Sequence, residues 1–249
     1  MSQQQTLTAL RALKLTGMAD GLERQYSQPQ LQESSFDARL DMLVDAERLA
    51  RENRRLTRLL KQAQLKVQAA PEDIDYRASR GLDKRQVNAL LGCEWILQQQ
   101  NLIITGPTGV GKTWLACAFA QQAARRGLPV LYRRLPRLLE DLEVARETGE
   151  LPQRRSQLAK VKLLVLDDWG IVPITTRGRQ DLMEVVDDRA GGGSLVITSQ
   201  LPIAEWHVYL GDPTIADAIL DRIVHSAHRI DLQGESMRKL RSQSPKPKS

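Results

Sequence analysis

At 249 residues the chain is long enough for one sizeable α/β core with a smaller appendage, and 41% apolar residues fit a globular fold. Its apolar runs, such as Leu163 to Leu166, are far too short to cross a bilayer, and Met1-Ser2-Gln3-Gln4-Gln5 leads into an amphipathic helix rather than a leader, so no membrane association is expected. A net charge of +6 suits an anionic polymer as partner, and Cys93 and Cys117, without metal-ligand spacing, read as reduced core thiols of a cytosolic protein.

From Thr6 to about Val67 the chain is rich in Leu, Ala, Arg, Glu and Gln, which predicts helices. Ser34, followed three residues later by Asp37, predicts the cap of a long helix from Phe36 to about Val67. Within it Arg48, Arg51, Arg54, Arg55, Arg58, Lys61 and Lys66 stand against only Glu52. At 3.6 residues per turn these cations share one arc, while Leu49, Leu56, Leu59, Leu60 and Ala63 share another. The pattern predicts a helix packed by its leucines with an arginine face outward. A solvated face usually mixes signs, so the one-signed arc favours a nucleic-acid phosphate backbone.

Pro71-Glu72-Asp73 closes this region, and Gly81 punctuates a linker before a short helix from Asp83 to Leu91. Three domains are expected: residues 1–70 helical and binding DNA or a partner, residues 71–240 an α/β core, and residues 241–249 a disordered basic tail. From Asn101 to Leu232 apolar strands alternate with helices. The strands predicted are Leu102–Thr105, Val130–Tyr132, Leu163–Leu166, Leu195–Thr198 and Arg229–Leu232, a parallel sheet covered on both faces.

The first of these strands runs into Gly106-Pro107-Thr108-Gly109-Val110-Gly111-Lys112-Thr113, a complete G-x-x-x-x-G-K-[ST] loop, and a helical stretch follows at once. Strand, glycine-rich turn and helix N-terminus together aim backbone N–H groups at a nucleotide's phosphates. Lys112 is placed to reach the β- and γ-phosphates, and the Thr113 hydroxyl to ligate Mg²⁺, so ATP and Mg²⁺ are the expected cofactors. The third strand ends in Asp167-Asp168, at the sheet edge where ligands sit. Asp167 is expected to hold Mg²⁺ beside Thr113, directly or through water, and Asp168 to orient or deprotonate the attacking water. The fourth strand ends in Thr198-Ser199-Gln200, and any of the three is a candidate to meet that water or the γ-phosphate. Arg222, on an amphipathic helix just before the last strand, reads either as a surface arginine or as a finger reaching a neighbouring subunit's γ-phosphate. His225 and His228 lack the further ligands that a metal site needs.

Leu166-Asp167-Asp168-Trp169-Gly170, Val196-Ile197-Thr198-Ser199-Gln200-Leu201-Pro202, the stretch from Ala216 to Ile230 with Asp221-Arg222-Ile223-Val224-His225 at its centre, and Gly234-Glu235-Ser236-Met237-Arg238-Lys239 resemble the IstB family. Its members are AAA+ ATPase helpers encoded beside the transposase of an insertion sequence, and relatives of bacterial helicase loaders of the DnaC type. The resemblance runs from Leu7 to Lys239. It implies an AAA+ P-loop fold with a five-stranded parallel sheet and DNA-stimulated, Mg-dependent ATP hydrolysis. It also implies homo-oligomers bridged by ATP, assembly on duplex DNA, contact with the cognate transposase, and stimulation or targeting of transposition in the bacterial cytoplasm. A replicative helicase loader acting on single-stranded DNA is the alternative. Two departures from the wider AAA+ pattern stand out. Asp168 occupies the place of the usual Glu, which suits a slow switch, and the little chain after the last strand is expected to build no helical lid, leaving Arg238 as the one candidate second arginine sensor.

Overall fold

The computed structural model describes residues 2–77 and 80–237. Arg238 and the tail expected over residues 241–249 lie outside the described residues. The chain divides between Arg58 and Leu59 into two compact units.

The first unit holds helices α1 (Gln3–Ala12), α2 (Thr16–Ser27), α3 (Pro29–Gln32) and most of α4 (Phe36–Ala63). Ser2 and Gln5 form a reciprocal capping box that starts α1. Leu7, Ala19 and Leu22 make a small core, with Leu10, Tyr26 and Leu43 against it. Gly17 lets α2 lie close on α4, since a Cβ there would sit 2.5 Å from the Ala46 carbonyl oxygen. Leu15 cannot cap α2 with its side chain, and the buried Glu47 carboxylate takes over, accepting from the N–H groups of Gly17 (2.8 Å) and Met18 (3.2 Å). The cap of α4 is Ser35, not Ser34: its hydroxyl accepts from the Ala38 N–H. The expected box was one residue out of phase with the helix it starts.

The expected extension of α4 to Val67 fails at Gln64, whose φ of 51° is left-handed and turns the chain out of the helix. The division at Arg58 also comes earlier than the expected boundary at residue 70. Leu59 and Ala63, in the last turns of α4, belong to the second unit and are buried.

After one 3₁₀ turn (Pro71–Asp73), the second unit continues with α5 (Lys84–Leu91), capped by Asp83, and α6 (Glu94–Leu97). The alternating part comes next as β1 (Asn101–Thr105), α7 (Lys112–Arg125), β2 (Val130–Arg134), α8 (Leu135–Glu147), α9 (Leu151–Lys160) and β3 (Leu163–Trp169). It is completed by α10 (Thr176–Arg189), β4 (Ser194–Ser199), α11 (Trp206–Leu210), α12 (Pro213–Val224) and β5 (Ala227–Asp231). All five strands are parallel, in the order β2-β3-β4-β1-β5. The chain steps one way from β1 to β2 and the other way from β2 onward. Right-handed crossovers then place α7 on one face and α8 to α12 on the other. The first face carries α7 against β1 to β4, and the second is filled by Leu138, Leu142, Leu164, Leu166, Trp169, Leu182 and Ile219. Cys93 and Cys117 are free and buried.

The end of β3 is irregular. Leu166 pairs with Ile197 and Trp169 with Ser199, so β3 spends one more residue than β4 between the two pairs. The surplus is a β-bulge, and Asp168 takes a left-handed φ of 65° within it. Trp169 thereby returns to the face of Leu164 and Leu166, stacking 4.9 Å from Trp206.

Candidate nucleotide site

β1, β3 and β4 deliver their C-terminal ends side by side, and the glycine-rich loop leaves the end of β1. Gly109 and Gly111 adopt φ values of 87° and 100°, and a Cβ at Gly109 would run into Ser236. The Met237 N–H donates to the Gly109 carbonyl (2.9 Å), fixing the chain after β5 against the loop. Lys112 curls over the loop and donates to the carbonyls of Gly106 (2.7 Å) and Pro107 (2.8 Å). Burial pushes its ammonium below its ordinary pKa, while Asp167 and Asp168 pull the other way.

Asp167 is fully buried, and hydroxyls surround it. Thr113 donates to its two oxygens at 2.8 and 3.0 Å, and Tyr132 and Thr198 donate one bond each. Lys66 brings its ammonium to 3.6 Å. Burial, then the bond to Asp167, raises the Tyr132 pKa, so this phenol stays neutral and donating. A threonine hydroxyl against a buried carboxylate, at the start of a helix below a phosphate loop, is a set of hard oxygen donors that fits Mg²⁺. Thr113 and Asp167 are the residues that would hold it. Among the described residues no group of three or more His, Cys, Asp or Glu could hold a metal ion, and His228 meets Gln100 instead.

The bulge turns Asp168 out of the strand into the cleft, where Arg134 at the end of β2 pairs with it (Nε to Oδ2, 2.5 Å). The Thr198 hydroxyl links both acids, donating to Asp167 and accepting from the Asp168 N–H at 3.3 Å. Gln200 accepts from the Thr108 hydroxyl of the loop (2.7 Å). Thr108, Lys112, Thr113, Asp168 and Gln200 line a cleft of about 270 Å³ together with Val67, Asp75, Arg80 and Trp114.

The structure thus brings together Gly106 to Thr113, Asp167, Asp168, Thr198 and Gln200. Ser199 is a correction: its buried hydroxyl donates to the Trp169 carbonyl and accepts from the Leu201 N–H, shaping the turn after β4 instead of facing the cleft. Arg222 stands apart. Its carbonyl accepts from Asn101 at the start of β1, the opposite end of that strand from the loop, and its guanidinium pairs with Asp187 (2.5 Å).

The arginine arc also changes. Arg48 pairs with Asp45 (3.1 Å), and Arg51 and Arg54 both pair with Glu47 (2.7 and 3.2 Å). Counting acids from Arg48 onward leaves out these two carboxylates, which sit one turn earlier on the helix. Lys66 lies beyond the helix end and faces Asp167, so it leaves the arc altogether. Leu49, expected in the packed stripe, is 59% exposed. Tyr132, Arg134, Lys66 and Arg80 were not anticipated at the site. None of the four had a legible signal: Arg134 meets Asp167 through the pairing of β2 with β3, which the sequence of either strand does not reveal.

Residues 8–245 match the protein-family model described as IstB-like ATP binding protein. A protein of Sinorhizobium fredii named as an insertion sequence ATP-binding protein is 47% identical over 234 residues, which cover 94% of this chain and 96% of that one. Among solved structures, that of DnaI overlays with a TM-score of 0.57 at 22% identity, covering 66% of this chain and 91% of that one. The DnaC helicase loader overlays with a TM-score of 0.52 at 18% identity, covering 66% and 96%. At those identities the structural likeness bears on the fold alone.

Proposed function

The chain belongs to the IstB-like ATP-binding protein family, and on that premise we propose that it is the ATPase helper of a transposase. It assembles on duplex DNA with ATP bound, and hydrolysis dismantles or resets the assembly. The observation that carries this reading is the Thr113–Asp167 pair, with Asp168 beside it at the mouth of the phosphate loop.

Lys112 exchanges the carbonyls of Gly106 and Pro107 for the β- and γ-phosphates, and the N–H groups opening α7 bind the same oxygens. Mg²⁺, when held by Thr113 and Asp167, neutralises charge on those phosphates. Thr198 fixes both acids relative to each other. Asp168 lets go of Arg134 and orients the water that attacks the γ-phosphate, yielding ADP and phosphate. Gln200 ties the end of β4 to the loop through Thr108. Arg222, at the far end of β1 from its own loop, serves a neighbouring subunit's nucleotide, which makes hydrolysis depend on the homo-oligomer. The exposed arginines of α4 supply contacts to the DNA backbone, and the cognate transposase is the protein partner. Such a role belongs to the bacterial cytoplasm.

Sedimentation of the full chain tests this reading. With ATP, Mg²⁺ and duplex DNA it should form particles larger than those formed with ADP, and Arg222→Ala should prevent them from turning over. A single species indifferent to nucleotide and DNA would overturn the proposal.

A further inference from the structure

Lys66 enters the nucleotide cleft from an unexpected direction. The chain leaves α4 through the left-handed Gln64, whose side-chain oxygen accepts from Arg133 Nη1 at 2.6 Å. Arg133 also donates to the Tyr132 carbonyl, and the Tyr132 hydroxyl is one of the three that donate to Asp167. Lys66, two residues past this anchor, brings its ammonium within 3.6 Å of Asp167 Oδ2, and it lines the cleft with Val67, Lys112, Thr113 and Asp168.

Asp167 has no solvent exposure, and a buried carboxylate requires a counter-charge as well as hydrogen bonds. Lys112 does not supply it directly, because its ammonium is held by the loop carbonyls. Among the described residues, Lys66 alone places a cationic nitrogen within ion-pair distance of Asp167. Its side chain is 42% exposed on a flexible stem, so it can leave without opening the core. An ammonium and a divalent ion on one carboxylate repel each other, so a metal arriving at Asp167 weakens its hold on Lys66.

We propose that Lys66 is the resident counter-ion of Asp167 in the metal-free site, and that it withdraws into solvent when the Mg²⁺–nucleotide complex binds. Lys66 is then a positioning residue: it keeps Asp167 oriented, and it sets the Mg²⁺ concentration at which the site is filled. This inference rests on the ATPase reading above.

The test is nucleotide binding by the full chain, followed with a fluorescent ATP analogue. It is run first with a chelator and then across a Mg²⁺ titration, for the parent, Lys66→Met, Lys66→Gln and Lys66→Arg. Lys66→Met and Lys66→Gln should bind the analogue as the parent does in chelator. Their half-maximal Mg²⁺ concentration should fall by about three- to tenfold, the scale of a partly exposed ion pair of roughly a kcal/mol, with Lys66→Arg close to the parent. Weaker binding in chelator and in Mg²⁺ alike would make Lys66 a phosphate contact and overturn the proposal. An unchanged Mg²⁺ midpoint in a folded variant would overturn it as well. Failure of the parent itself to bind the analogue, with Lys112→Ala no different, would instead defeat the ATPase reading.

Discussion

Replacing Asp168 by Asn isolates the one carboxylate assigned to the attacking water. The exchange is nearly isosteric, and Asn tolerates the left-handed φ of 65° that the bulge imposes. Its amide oxygen can still accept from Arg134, so the end of β2 stays where it is. Thr113, Asp167 and Lys112 are untouched, and nucleotide affinity should change by no more than about threefold, the scale of a lost charge in a solvated cleft. What disappears is the negative charge that orients the water and accepts its proton. Positioned acid–base groups contribute about 10²–10⁴ in rate, so kcat should fall by that factor, equivalent to about 2.7–5.5 kcal/mol in the barrier. Single-turnover phosphate release under saturating ATP reads this directly, with analogue binding as the control. Hydrolysis at the parental rate would refute the assignment of Asp168. Loss of binding would show that the bulge, rather than the chemistry, had been damaged.

Arg222→Ala should be as inactive as Asp168→Asn when each is assayed alone. Mixing the two should restore part of the activity at junctions where an intact cleft meets an intact arginine, and no rescue in demonstrated mixed oligomers would sink the trans role. Replacing Arg48, Arg55 and Arg58 together by Ala should weaken binding to all duplex sequences alike. It should also flatten the log–log salt slope by about 2–3 units, at about 0.9 per lost phosphate contact; an unchanged slope would place the DNA elsewhere. Glu47 is held below the ordinary value of 4.5, first by its bond from Arg51 and then by the N–H groups of Met18 and Gly17, with burial opposing. A depressed carboxylate stabilises the fold above its unfolded pKa and loses that contribution as pH falls through the folded one. The loss in thermal stability caused by Glu47→Gln should therefore be full at neutral pH and shrink below about pH 4, and a loss independent of pH would contradict the role of Glu47 at the start of α2.

Local features of the chain proved legible and relational ones did not. The phosphate loop and Thr113 could be placed because a strand, a turn and a helix in immediate succession define their own geometry, and Asp167 because it ends an apolar strand at the sheet edge where ligands sit. The central strands β1, β3 and β4 were equally readable, since strands buried on both faces are apolar nearly throughout, whereas the edge strands β2 and β5 carry polar, part-exposed residues. The bulge at Asp168 was not, because it exists only in the register of β3 against β4, and no single strand carries that information. The choice among Thr198, Ser199 and Gln200 stayed open for the same reason: consecutive residues at a strand end alternate in direction, and here Thr198 turns to Asp167, Gln200 to the loop and Ser199 to the Trp169 carbonyl. Helical periodicity put Lys66 among the arginines by assuming that α4 continues, whereas one left-handed residue at Gln64 breaks the phase and sends Lys66 to Asp167. Arg51 and Arg54 looked unpaired because their partner, Glu47, lay just outside the stretch of charges considered.

The central claim, that this cleft hydrolyses ATP in the service of assembly on duplex DNA, meets its most direct test in steady-state phosphate release. The full chain is assayed at saturating ATP and Mg²⁺ with no DNA, with single-stranded DNA and with duplex DNA of the same length. Duplex DNA should raise the rate well above the other two, and Asp168→Asn should abolish that rise. Equal rates in all three conditions, or stimulation by the single strand alone, would contradict the account.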